Sequence, residues 1–121
     1  MGDISPSFSR SEFRCKGKAC GCTLDTVDAA LLELLEEIRL HFGAKVKINS
    51  GCRCVAYNQH VGGSKNSQHL LGRAADIEVE GISPDEVADF ADNILEVPGL
   101  GRYNSFTHLD SRTGKARWDK R

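Results

Sequence analysis

No apolar run in these 121 residues approaches the ~20 needed to cross a bilayer, so membrane insertion is not expected. Nor is there an excess of charge of one sign. The net charge is −1, which argues against a general nucleic-acid or membrane-surface binder, since those carry basic patches. Internal repeats and low-complexity tracts are missing. The opening residues Met1-Gly2-Asp3-Ile4-Ser5-Pro6 offer neither a basic n-region nor an apolar h-region, so a secretory signal is not expected. A substrate outside the cytoplasm would then be reached after release by some other agent, or with the help of a processed segment that this sequence does not include. The cysteines lack the CxxC pairs of a zinc ribbon.

What is present fits one small domain over residues 1–121, with 40% hydrophobic and 27% charged residues. A core of that size is modest, so a bound metal or a crosslink would help to hold it. Five cysteines form two groups: Cys15, Cys20 and Cys22, then Cys52 and Cys54. The odd count leaves at least one outside any disulfide pairing. Packing thiols are the first expectation, with disulfides or a structural metal cluster left open. The last stretch is locally basic, through Arg112, Lys115, Arg117, Lys120 and Arg121. It is expected to be a solvated tail rather than a contact for an anionic polymer.

Residues 5–22 read as an irregular leading segment anchored by Phe8 and Phe13. From Asp25 to Phe42, Val27, Leu31, Leu34, Leu35, Ile38 and Phe42 recur at helical spacing, and Gly43 ends the run. Lys45–Asn49 alternates polar and apolar, as a half-buried strand does. One helical turn is expected near Val55–His60, and a second strand over Ala74–Glu80. Ser83-Pro84-Asp85-Glu86 has the form of a capping box with proline at the first helical position. The helix that follows should bury Val87, Phe90, Ala91, Ile94 and Leu95. Two short strands, Leu100–Tyr103 and Phe106–Asp110, should turn at Asn104-Ser105. This order predicts an α+β domain with a small, mainly antiparallel sheet and flanking helices.

Four histidines could carry chemistry. His41, near a helix end, and His60, in a Gly-rich connection, are expected at the surface or in structural roles. His69 lies in the dense pattern Ser67-Gln68-His69-Leu70-Leu71-Gly72-Arg73-Ala74-Ala75-Asp76. Asp76 sits in an otherwise apolar strand and needs a partner if buried, because an isolated buried charge is costly. Spacing alone leaves a metal site and a hydrogen-bonded structural pair equally open. His108 is a possible third ligand. Strand alternation puts it on one face with Phe106 and Asp110, with Thr107 and Leu109 on the other. Two histidines and a carboxylate leave the fourth position of a zinc ion open, as a catalytic site requires. A metal there would acidify water and polarise a carbonyl.

Taken together, Ser50-Gly51-Cys52-Arg53, Asn58, Gly62-Gly63, the SxHxxGxAxD run from Ser67 to Asp76, and Phe106-x-His108-x-Asp110 resemble the zinc D-Ala-D-Ala carboxypeptidase family, which also includes peptidoglycan endopeptidases. Phe8-Ser9-Arg10-Ser11-Glu12-Phe13-x-Cys15 extends the likeness to the short single-domain branch common in phages and prophages. The resemblance implies the hedgehog/D-Ala-D-Ala peptidase-like fold and one catalytic zinc ion on His69, Asp76 and His108. It implies that Arg53 binds substrate or steadies the oxyanion, with a structural salt bridge as the alternative. Ser67 would hold substrate, or simply cap its loop. Many members carry an acidic residue or histidine two or three positions before the last zinc histidine as general base. Here those positions are Phe106 and Ser105, and Asp110 becomes the candidate, either as base or as the residue orienting His108. Glu78, on the face of Asp76, is a weaker candidate base.

The resulting expectation is a monomeric zinc metallopeptidase that cuts peptidoglycan stem peptide or cross-links as a D,D-carboxypeptidase or endopeptidase. It would act on the cell wall after release during phage or prophage lysis or infection. The alternative is a non-catalytic zinc-containing wall-binding or phage structural module. A thiol enzyme using Cys52 or Cys54 beside Arg53 is a third reading, with no resemblance behind it.

Overall fold

The computed structural model describes residues 4–16, 27–63 and 67–121. Cys20 and Cys22 lie outside the described residues, as do positions 25 and 26 of the expected first helix. The α+β expectation is borne out. Helix α1 runs Ala29–Phe42, strand β1 Val46–Ser50, helix α2 Val55–His60, strand β2 Ala74–Val79 and helix α3 Pro84–Asn93. Strands β3 Gly99–Arg102, β4 Thr107–Asp110 and β5 Ala116–Asp119 follow, and short 3-10 turns occupy Arg10–Phe13 and Gln68–Leu71.

Helix α1 buries Leu31, Leu35 and Ile38, one stripe at helical spacing. It stops at Gly43, whose φ of +58° places it in the left-handed region, and the Gly43 N–H closes on the Arg39 carbonyl. Helix α3 starts on Ser83, whose hydroxyl accepts the Glu86 N–H, with Pro84 in the first turn. Val87, Phe90 and Ala91 are buried as expected. Ile94 is not. It follows the last helical residue and is 69% exposed, because the helix ends before the apolar stripe comes round again. The exposed ring of His41 stacks on Phe90, 3.8 Å between centroids.

The sheet has the order β1-β2-β4-β3-β5. Its first three pairings are antiparallel, and β5 runs parallel to β3 at the edge. Strand alternation divides its residues between two faces. Ile48, Ala75, Ile77, Val79, Leu100 and Leu109 join Leu31, Leu35, Ile38, Val87 and Phe90 in the core, where Phe8 and Phe13 also lie. Asp76, His108 and Asp110 occupy the other face, and the polar row they form is itself buried.

Strand β5 corrects the expectation of a solvated basic tail at Arg112 and Arg117. Arg117 donates to the carbonyls of Val97 and Pro98 and pairs with Asp92, while Arg112 grips Asp110. Arg121 pairs with Asp85 and Asp119. Arg112 and Arg117 are thus part-buried and engaged by the fold, whereas Lys115, Lys120 and Arg121 stay exposed.

Candidate metal centre

The register lines the site up across the sheet. Ser50 opposes Asp76, Asp76 opposes His108, His108 opposes Gly101, and Gly101 opposes Trp118. A second row runs Ala74, Asp110, Gly99 and Ala116. A register shift in β1 between Ile48 and Ser50 brings Ser50 into the first row.

His69 arrives from outside the sheet. Ser67 caps the 3-10 turn by accepting the His69 N–H at 3.2 Å, and Gly72 ends it at a φ of +69°. The chain then enters β2. The other wall is the stretch after β1. Gly51 lies so close to the Phe13 backbone that a Cβ there would come within 2.8 Å of it. The Cys52 N–H donates to the Phe13 carbonyl, and the Arg53 N–H to that of His69.

His69, Asp76 and His108 are therefore brought together, all three buried, with potential ligand atoms within 4.8 Å of one another. Their proton inventory is decisive. His69 Nδ1 lies 2.6 Å from the Gly51 carbonyl oxygen, which can only accept, so Nδ1 carries a proton. His108 Nε2 lies 2.8 Å from Asp110 Oδ2 and likewise donates. The remaining nitrogens, His69 Nε2 and His108 Nδ1, face Asp76 Oδ1 at 3.3 and 2.9 Å. In neutral rings both are lone pairs aimed at a carboxylate. Such a convergence requires a cation, either a metal ion or additional protons on the rings. Two imidazole nitrogens and one carboxylate make a donor set suited to zinc, with a fourth position left over.

Charge shifts agree with that picture. Burial pushes the Asp76 carboxyl up, but hydrogen bonds from His108 and His69, and their charge, outweigh it and hold Asp76 well below the usual carboxylate range. Burial pushes His108 down, and contacts with Asp110 and Asp76 override this and raise it. At Asp110 burial again opposes ionisation, while the Arg112 guanidinium and His108 lower its pKa far more.

Arg53 stands beside the cluster. It donates to Asp76 Oδ2 at 3.2 Å, to Ser50 Oγ at 3.1 Å and to Asn58 Oδ1 at 3.3 Å. Asp110 is 0% exposed, and its oxygens accept from Arg112 and His108. Glu78 is exposed and accepts from the Asn49 side chain. It lines a groove with Lys45, Lys47 and Glu80 that includes none of the three clustered residues. His41 and His60 are both exposed. Cys15 and Cys54 approach to 3.8 Å between sulfurs, with Cys52 buried nearby in sequence.

Sequence reasoning missed Arg112 and Trp118. Arg112 grips Asp110, and Trp118 lies 4.8 Å from the His108 ring, centroid to centroid. The available signal was Gly99-x-Gly101 inside a strand, where glycine marks a close approach.

A buried histidine–aspartate–histidine cluster, with Asp76 and His108 on adjacent strands and His69 on the turn before them, defines a candidate metal-binding protein. The Peptidase M15 family model matches residues 6–110, and the chain belongs to that family. It is 31% identical to a zinc D-Ala-D-Ala carboxypeptidase from Streptomyces albus G, over 93% of this chain and 49% of that protein. The chain thus spans about half the length of this curated relative.

Proposed function

We propose that this protein is a zinc peptidase that hydrolyses a peptide bond of peptidoglycan stem peptide or its cross-links, as a D,D-carboxypeptidase or an endopeptidase. The observation that carries the reading is the convergence of two imidazole nitrogens on Asp76 when the other nitrogen of each ring is already engaged elsewhere. Family membership and the zinc D-Ala-D-Ala carboxypeptidase relative support the choice of metal and substrate class.

In this reading His69 Nε2, His108 Nδ1 and Asp76 hold one zinc ion. Zinc bound there supplies Lewis-acid polarisation of the scissile carbonyl and acidifies water. The Gly51 carbonyl fixes the ring of His69, and Asp110 fixes that of His108. Arg53 holds Asp76 through Oδ2 and offers its guanidinium to negative charge developing on the attacked carbonyl. Ser67, half-buried at the turn before His69, borders the substrate. Of the two roles open to Asp110, orientation of His108 is the one its burial favours. The setting we propose is cell-wall cleavage after release, in phage or prophage lysis or infection, by a monomer that needs neither nucleic acid nor membrane insertion.

The sealed position of Asp110 also favours a second reading, a zinc-containing module that binds the wall without cutting it. Incubating the zinc-loaded protein with purified peptidoglycan separates the two. The peptidase reading expects released D-alanine or shortened cross-links, lost in His69→Ala and His108→Ala. Wall binding without any product would favour the module, and cleavage that survives loss of the metal would sink the zinc mechanism.

A further inference from the structure

Arg112 lies beyond the residues that face the cluster, yet it is tied to it. Its Nε donates to Asp110 Oδ1 at 2.8 Å and its Nη2 to Asp110 Oδ2 at 2.7 Å, a two-pronged grip. The Arg112 backbone N–H adds a third bond to Oδ1 at 3.2 Å. Held this way, Asp110 presents Oδ2 to His108 Nε2.

Two glycines show that room has been left for this arrangement. A Cβ at Gly99 would fall 2.0 Å from Asp110 Oδ1, and one at Gly101 would fall 2.4 Å from Trp118 Nε1. Trp118 then covers both partners. Its ring is 4.8 Å from that of His108, and the Arg112 guanidinium lies 5.3 Å from its centroid. Its indole N–H donates to the Tyr103 hydroxyl at 2.9 Å, which sets the ring's orientation.

We propose that Arg112 is a positioning residue of the metal centre: by locking the Asp110 carboxylate it keeps the proton of His108 on Nε2 and the lone pair of Nδ1 toward Asp76. The proposal rests on the zinc reading above. Arg112 stands outside the group of three clustered residues, and it acts through Asp110 and His108. A surface ion pair would contribute little to metal affinity, whereas partners that orient a ligand typically change it by about 10- to 100-fold.

The test is zinc affinity of the full chain, measured by chelator competition, for wild type, Arg112→Met, Arg112→Lys and Arg121→Met. Nitrogen NMR of the His108 ring in the metal-free protein, at a pH high enough for the ring to be neutral, is the second readout. Arg112→Met should weaken zinc binding by about 10- to 100-fold and mix the two ring tautomers. Arg112→Lys keeps the charge but not the two-pronged grip, and should recover only part of the affinity. Arg121→Met, which removes exposed ion pairs, should bind as wild type does. If Arg112→Met fails to fold, Arg112→Lys decides: affinity and tautomer both equal to wild type would overturn the proposal. Wild-type affinity in a folded Arg112→Met would overturn it as well, leaving the zinc site standing. Failure of the wild type itself to bind zinc would instead remove the reading on which the proposal rests.

Discussion

At His108 two carboxylates act against burial, and the balance favours the protonated ring. A metal on Nδ1 has to displace that proton, so zinc binding should release protons and weaken as pH falls. Zinc titrations across mildly acid to neutral pH check this, and an affinity independent of pH would contradict it. Without metal the dependence takes another form. The raised pKa of His108 adds stability that is fully present below its ordinary value of 6.5 and is lost as pH rises through the raised one. The lowered pKa values of Asp76 and Asp110 add stability above their ordinary 3.8, lost as pH falls through the lowered ones. The windows overlap between those ordinary values, so metal-free protein should resist urea better near pH 5 than near pH 8. A higher urea midpoint at pH 8 would count against the assignment. At this scale His69, Asp76 and His108 were legible, because motif spacing and strand alternation both act over a few residues. Arg112 was not, since its charge reads as solvated until Asp110 is seen beneath it.

Elements explain why these residues meet. Antiparallel pairing of β2 with β4 sets Asp76 directly opposite His108, and the parallel β3–β5 pair sets Trp118 in the same row. Helix α1, strands β1 to β4 and helix α3 could be read from periodicity, the Gly43 stop and the Ser83 cap. Strand β5 could not, because its four residues carry no strong alternation and their partner strand is set by a long-range contact. Gly101 gives a test at this level. Gly101→Ala would push a methyl into the Trp118 ring, costing about 1–3 kcal/mol as overpacking does. Because Trp118 is the sole tryptophan, the displacement should alter the intrinsic fluorescence spectrum. An unchanged spectrum and unchanged stability would show that the indole does not sit against β3 as described.

Over the whole molecule, a core built on one sheet face and two main helices leaves the opposite face to a buried polar row. A cation at its centre joins β2, β4 and the turn bearing His69, so the metal should also stabilise the fold. At free zinc 100 times its dissociation constant the gain is about 2.7 kcal/mol, which for a domain of this size corresponds to a rise in Tm of about 10 °C. Thermal melts with and without zinc measure it, and His108→Ala should abolish the rise. An equal rise in His108→Ala would place the stabilising ion elsewhere. Family membership accounts for the shared pattern from residue 6 to residue 110, whereas the tie from Arg112 and Trp118 back to the cluster became visible only in three dimensions. The central claim is that two ring nitrogens and Asp76 converge on one cation. A crystal structure of the zinc-loaded protein, with anomalous scattering recorded at the zinc edge, tests it most directly. The account predicts a single zinc ion bound by His69 Nε2, Asp76 and His108 Nδ1, with Zn–N distances of about 2.0–2.1 Å. Zinc bound at the cysteines instead, or no zinc on these three side chains, would contradict it.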